Sequence, residues 1–166
     1  MNKELDTGLE RFLAAARSYC ALVDTATSLS AEEFLSHVGK CLLDLYSSAL
    51  WLPKVEPDSP DLHGSPFDRD VWASLYRTLR DKIGTLDMYW GVFESGEKEE
   101  PVQGSLACDI SEIYSDIKEA LELASRDVAG SDVLWDIRES FRHHWGRHAM
   151  SALKVIHDLR ESEAID

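Results

Sequence analysis

Cysteines are few in this chain, and they are not arranged in pairs. Its 166 residues include three, Cys20, Cys41 and Cys108, with no CxxC spacing among them. An odd and scattered set argues against a disulfide framework and against a structural zinc knot. The stability of the fold must therefore come from a packed core, for which the chain is long enough.

Long apolar runs are also lacking. No segment approaches the roughly 20 consecutive apolar residues that a membrane span needs. Residues 1–20 alternate charged and apolar positions and offer no small-residue cleavage site, which is typical of a helix and not of a signal peptide. We therefore predict a cytoplasmic protein that makes no membrane contact.

Positive charge is scarce. The chain has 17 Lys and Arg against 31 Asp and Glu, which gives a net charge of −14. Such a surface repels phosphate backbones and anionic lipids, so we predict no nucleic-acid partner. It suits basic proteins or metal cations, although solubility alone also explains it. Because no nucleophile motif, glycine-rich phosphate loop or HExxH pair is present, the sequence favours a non-catalytic role through protein contacts.

Apolar residues recur with a helical period instead. Hydrophobic positions three and four residues apart along most of the chain predict amphipathic helices. We expect an all-α fold, a five-helix, up-and-down bundle that forms a single domain over residues 1–166, with a proline-rich loop after helix two. The predicted helices cover about residues 4–25, the segment from Ser30 to Leu52, and about residues 66–83, 106–126 and 132–161.

Local signals mark the ends of these helices. Ser30 followed by Glu33 forms a capping box, and Pro53 ends the second helix because its ring disfavours a helical residue before it. Residues 53–66 hold four of the five prolines and therefore predict an extended surface loop. Ser105 is the expected cap of the fourth helix.

The segment between the third and fourth helices is ambiguous. Residues 86–93, LDMYWGVF, form a short aromatic run that fits both a helix and a strand. We prefer a short helix, because the elements around it are helical. Residues 96–104 are polar and predict a loop.

A histidine interrupts the apolar stripe of the last predicted helix. His148 falls near the centre of this stripe, and His144, one turn earlier, lies at its edge. On the fourth helix, Asp109 and Asp116 are seven residues apart and share one flank of the apolar face. We therefore expect Asp109 or Asp116 to meet His144 or His148 where the two helices pack.

Three interpretations of this polar cluster stay open. In the favoured one the cluster is structural, because a buried imidazole without a partner would cost about 1–3 kcal/mol. In the second, His144, His148, Asp109 and Asp116 bind a divalent metal, since two histidines four residues apart on a helix face one point. In the third they form an acid–base pair in a substrate cleft. No cofactor is predicted other than that divalent metal.

Two tryptophans adjoin the predicted loops. Trp51 follows the second helix, and Trp90 lies in the ambiguous segment. Most tryptophans pack in the core or at its rim. An exposed pair at these positions would mark a partner or ligand surface.

Two short motifs carry a family resemblance. The motif His144-Trp145-Gly146-x-His148 and the motif Ser105-Leu106-x-x-Asp109 resemble those of an uncharacterised family of bacterial proteins classed as a domain of unknown function. The resemblance spans residues 34–157. It implies a small bacterial helical protein and no established activity. The family pattern has a second acidic residue beside Asp109, where this chain has Cys108.

Overall fold

Helices form most of the protein, as the periodicity predicts. The computed structural model describes residues 3–59, 61–92 and 100–166, with the backbone alone for residues 3–6. The helices are α1 (Lys3–Asp24), α2 (Ala31–Leu50), α3 (Arg69–Ile83), α4 (Leu106–Ala124), α5 (Gly130–Ser140) and α6 (Gly146–Glu161), and the strands are β1 (Met88–Gly91) and β2 (Val102–Ser105). Because α5 and α6 are joined by a π-helical turn, they count as one interrupted helix, and the helices of the described ranges then number five. The up-and-down order and the single domain stay predictions.

The central helix is α4, which packs against α1, α3, α5 and α6. Its inward side chains, among them Leu106, Ile110 and Ile113, are fully buried, and each such burial stabilises the fold by about 1.5–3 kcal/mol. The hydroxyl of Tyr19 in α1 donates to the carbonyl of Ile110 at 2.9 Å, which satisfies a polar atom inside the core. Within the described ranges, none of the helices combines the length and the apolar content needed to cross a bilayer.

Side-chain caps set two helix starts. The capping box of α2 is confirmed: Glu33 N–H donates to Ser30 Oγ at 3.1 Å, and Ser30 N–H donates to the Glu33 carboxylate at 2.9 Å. The expected start of the third helix at Pro66 is wrong, since α3 begins at Arg69. Asp68 decides this, because its carboxylate accepts two N–H groups of the first turn at 2.8 and 3.1 Å.

The proline-rich segment 53–66 contains neither helix nor strand among its described residues. Carboxylates of α4 and α5 accept hydrogen bonds from its backbone. Ser59 N–H donates to Asp132 at 2.8 Å, and Ser65 N–H donates to Glu122 at 2.9 Å. The loop therefore lies against the helices.

The prediction of a short helix at 86–93 is wrong. Residues 84–86 form a 3₁₀ turn and residues 88–91 form β1, which pairs antiparallel with β2 with Tyr89 opposite Gly104; residue 93 lies outside the described residues. The predicted loop at 96–104 is wrong for residues 102–104, which belong to β2, and residues 96–99 lie outside the described residues. Pairing between distant segments decided the structure, because a four-residue strand has no local pattern strong enough to exclude a helix.

The last predicted helix contains a π-helical turn at Phe141–Trp145. The turn closes where the N–H of Gly146 donates to the carbonyl of Phe141, five residues earlier. A Cβ at position 146 would lie 2.4 Å from that carbonyl oxygen, so the turn requires glycine there. The apolar stripe remains inward on both sides of the turn, with Ile137, Trp145 and Ala149 buried.

Candidate functional site

Two caps determine where α4 begins and so where its carboxylates lie. Ser105 Oγ accepts a backbone N–H one turn later at 3.1 Å, as predicted. Asp87, which precedes β1 and is almost fully buried, accepts the backbone N–H of Ala107 at 2.7 Å. A carboxylate at this position is favourable because the helix N-terminus is the positive end of its dipole. Asp109 and Asp116 then lie two turns apart on the flank of α4 that meets the last helix.

The first pair of the cluster, which we call the inner pair, joins Asp109 to His148. His148 Nδ1 lies 2.8 Å from Asp109 Oδ1, and the imidazole is the donor because a carboxylate only accepts. The Asp109 side chain is 6% exposed and that of His148 is 29% exposed. The histidine in the apolar stripe therefore has a carboxylate partner from α4, as the helical phases predict.

Tyr89 of β1 also binds Asp109 of the inner pair. The sequence did not indicate this contact. The Tyr89 hydroxyl donates to Asp109 Oδ2 at 2.6 Å. Burial, followed by the hydrogen bond to Asp109, raises the pKa of Tyr89 above its usual value, so the hydroxyl stays protonated and donates. The helix prediction for 86–93 concealed this contact, because only the pairing with β2 places the tyrosine ring over Gly104.

The second pair, the outer pair, joins Asp116 to His144. His144 Nδ1 lies 2.9 Å from Asp116 Oδ2, and Ser140 Oγ donates to the same oxygen at 2.7 Å. The Asp116 side chain is 14% exposed and that of His144 is 43% exposed. Glu112, on the same helix as Asp116, brings a carboxylate oxygen to 3.8 Å from His144 Nε2.

The two imidazoles are neighbours, with ring centroids 5.0 Å apart and ring planes at 75°. Each ring uses Nδ1 for its aspartate, which leaves Nε2 as the nitrogen that could bind a ligand. Across the part of the chain that the structure describes, no group of three or more His, Cys, Asp or Glu side chains is placed to hold a metal ion. The four predicted ligands thus lie together as two hydrogen-bonded pairs.

Two of the three cysteine thiols, Cys20 and Cys108, are not activated as nucleophiles. Burial, then the nearby carboxylates of Glu112 and Asp109, raise the pKa of Cys108 to about 11. Burial raises the pKa of Cys20 to about 12. Both thiols are therefore protonated at neutral pH, and the thiolate is the nucleophilic form.

An apolar surface lies on the outer side of β1. Met88, Trp90 and Val92 alternate along the chain and are exposed, with Trp90 at 70%. Beside them a groove of about 720 Å³ separates this segment from α6, where Val155 and Leu159 line it. We call Met88, Trp90, Val92 and this groove the hairpin surface. Trp51, the other tryptophan that the sequence placed beside a loop, is also exposed at the end of α2.

Comparisons with known proteins give a family and a fold. A family model described as Domain of unknown function (DUF5063) matches residues 3–162. The crystal structure of protein BF1032 from Bacteroides fragilis is similar, with a TM-score of 0.79 and 24% identity over 93% of this chain and 92% of that chain. At this identity the similarity shows the fold alone. A search of curated proteins finds no match.

Proposed function

The chain belongs to the family described as Domain of unknown function (DUF5063), and we propose that it is a non-catalytic protein that acts through contacts with another protein. The family membership confirms the resemblance noted in the sequence, and its description names no activity. One observation carries the proposal: Trp90 is 70% exposed at the centre of an apolar strand face.

The composition of the hairpin surface supports a protein partner. Tryptophan is enriched among the residues that contribute most to protein interfaces, and contiguous exposed apolar patches mark interaction sites. Met88 and Val92 extend the patch on either side of Trp90. The net charge of −14 disfavours an anionic membrane as the alternative occupant.

In this proposal the polar cluster has a structural role. Successive side chains of a strand point to opposite faces, so the bond from Tyr89 to Asp109 on the inner face directs Trp90 outward. The inner pair thereby connects β1 to α4 and α6, and it supports the surface that binds the partner.

The proposed location is the cytoplasm, and the chemistry is non-catalytic. The three cysteines are free thiols, which persist where the cell is reducing. The raised pKa values of Cys20 and Cys108 support the absence of thiol chemistry.

Site-specific photo-crosslinking in cells tests the proposal. A photoreactive amino acid at position 90 should link the protein to a defined partner, whereas the same amino acid at Val71, an exposed apolar position on α3, should not. With the purified partner, Trp90→Ser should weaken binding by about tenfold or more, as expected for a central interface tryptophan, while Val71→Ser should not. Equal crosslinking at both positions, or linkage to a second copy of this chain alone, would refute the proposal.

Divalent metal binding is the second candidate. The orientation of the histidines favours it, because a carboxylate on one ring nitrogen is the arrangement that surrounds histidine ligands in metal sites. His144 and His148 would bind through Nε2, with Asp109 and Asp116 behind them. Elemental analysis of untagged protein after incubation with zinc should show one equivalent that His148→Ala and His144→Ala each abolish. Substoichiometric metal in the parent protein would reject this candidate.

A further inference from the structure

A second groove next to the hairpin surface is lined by basic side chains. Its volume is about 770 Å³, and it lies where the π turn meets α6, with Tyr46 of α2 on one side. Arg142, Arg147, Lys154 and His148 line it, and no acidic residue is among the described residues that do so. In a chain with a net charge of −14, this groove is a local concentration of basic side chains.

The cations of this groove are available to a ligand. Arg142 pairs with Glu139 at 3.2 Å and Lys154 with Asp158 at 2.6 Å, but both cations are well exposed, and such surface pairs contribute about 0–1 kcal/mol. Arg147 donates to the backbone carbonyl of His143 at 3.1 Å, and no ion pair neutralises it within the described ranges. An incoming anion therefore competes with weak partners or with none.

The groove also has an aromatic wall. Tyr46 and Phe141 meet edge to face, with ring centroids 5.0 Å apart, and both line the groove. An apolar wall beside exposed guanidinium groups suits a ligand that combines an anionic group with an apolar body. A bare inorganic ion would leave the wall without a contact.

The π turn creates this arrangement. Phe141 and Arg142 belong to the turn and Gly146 ends it, so three of the residues that line the groove depend on its geometry. Single π turns inside helices occur frequently at functional sites. A Cβ at position 146 would lie 2.4 Å from the Phe141 carbonyl oxygen. The backbone at the edge of the groove therefore requires glycine, although glycine lowers the stability of a helix.

His148 contributes a fixed polar group to the same groove. Asp109 accepts from its Nδ1 and orients the ring, and within the described ranges no hydrogen bond involves Nε2. A ligand oxygen near Arg147 would thus meet a ring whose position the inner pair already determines. Because the His148 ring is already held in one orientation, less entropy is lost when a ligand binds to it.

We propose that this groove binds a small organic anion, a carboxylate or phosphate ester with an apolar body, through Arg142 and Arg147 with the body against Tyr46 and Phe141. Arginine suits this role because its planar guanidinium binds carboxylate and phosphate groups through two parallel hydrogen bonds. The site adjoins the hairpin surface, since Val92, Ser151 and Lys154 line both grooves. The two arginines that would bind the anion line only this groove, so the proposal does not rest on the protein contact through Trp90.

Amide chemical-shift titration of the full chain tests this site with phenyl phosphate, 3-phenylpropionate, inorganic phosphate and phenethylamine. Phenyl phosphate or 3-phenylpropionate should shift amides of residues 141–148 saturably below about 10 mM, the range of weak small-ligand affinities. Phenethylamine, which has the same apolar body and a positive charge, should not. Inorganic phosphate should bind at least about tenfold more weakly, since it lacks the apolar contact.

Variants separate the site from general charge effects. Arg147→Gln and Arg142→Gln should each weaken phenyl phosphate binding by about tenfold, which corresponds to one charge-assisted hydrogen bond. Arg77→Gln, at an exposed position of α3, should change nothing. No saturable shift with either organic anion, equal binding of phenethylamine or inorganic phosphate, or equal loss in all three variants would overturn the proposal. Partner binding through Trp90 can succeed or fail independently of these results.

Discussion

The inner and outer pairs share one hydrogen-bonding pattern but differ in what they connect. Each places a histidine Nδ1 within 2.9 Å of an aspartate on α4. The second partner of Asp109 is Tyr89, from a strand 20 residues away, whereas the second partner of Asp116 is Ser140, one turn before His144. Asp109 and His148 are also the more buried couple. The comparison predicts that burial and the second hydrogen bond to the aspartate, more than the His–Asp bond itself, decide how much such a pair contributes to stability.

Removing the aspartates should give the largest difference. Asp109→Ala leaves both the Tyr89 hydroxyl and His148 Nδ1 without their acceptor in a largely buried site, so we expect a loss of about 2–4 kcal/mol in the free energy of unfolding. Asp116→Ala should cost about 0.5–1.5 kcal/mol, because water can replace the carboxylate. Urea denaturation of both variants measures this, and similar losses would show that the second partner of the aspartate does not affect stability.

Gly104 of β2, which lies beneath the Tyr89 ring, allows a test of how much Tyr89 contributes to the inner pair. A Cβ at position 104 would lie 2.4 Å from the Tyr89 ring, so Gly104→Ala should displace that ring and cost about 1–3 kcal/mol. Gly8→Ala in α1 is the matched control. Its nearest new contact would be at 3.7 Å, and the helix should gain up to about 1 kcal/mol. If Gly104→Ala proves as harmless in thermal unfolding, the contact of Tyr89 with Asp109 does not need this close approach.

Substitution of the two histidines should again destabilise the inner pair more than the outer pair, with smaller losses than for the aspartates. His148→Ala should destabilise the protein by about 1–3 kcal/mol, since it removes a half-buried donor of a buried carboxylate. His144→Ala should cost less than about 1 kcal/mol, because its ring is more exposed. Denaturant titration at constant pH gives both values. A reversed order would mean that the outer pair is the stronger one.

The smallest expected effect is on the pH dependence of stability. It involves Glu119, which follows Asp116 by three residues on α4. Burial raises the pKa of Glu119 above its usual value, so the folded state binds this proton more tightly than the unfolded state. Its contribution is fully present below the unfolded pKa of about 4.5. It is lost as pH rises through the folded pKa. Glu119→Gln should therefore gain stability relative to the parent protein as pH rises above the unfolded pKa of the glutamate.

Glu122 provides the control of opposite sign for that experiment. The hydrogen bond from Arg126 is the first cause that lowers the pKa of Glu122, so its contribution is present at neutral pH and is lost as pH falls through the folded pKa. Glu122→Gln should lose stability relative to the parent protein at neutral pH and match it in acid. Parallel pH curves for the two variants would contradict both assignments.

Much of the candidate site could be predicted because it lies on helices. The 3.6-residue period is enough to place His144 with His148 on one helix face and Asp109 with Asp116 on another. Which aspartate would meet which histidine could not be predicted. That choice depends on the axial offset between α4 and the last helix, which packing of distant side chains sets.

The β1–β2 hairpin could not be predicted from the local sequence. Residues 86–93 have no period long enough to decide between helix and strand, and the pairing of Tyr89 with Gly104 needs a partner segment beyond the intervening residues. Tyr89 joins the site only through that pairing, so its own neighbours in the chain could not assign it there. The π turn at Phe141–Trp145 is similar, since a helical pattern continues through it without a visible break.

The amino-acid order alone determined the helical class of this protein, most helix ends, and the shared helix face of the two histidines and of the two aspartates, because neighbouring residues decide helix periodicity and capping. Only the tertiary structure decided the hairpin, the hydrogen bond of Tyr89 to Asp109, the exposure of Trp90 and the basic groove. Each of these depends on contacts between segments far apart in the chain, and the free energy of such contacts is defined only once the helices have packed.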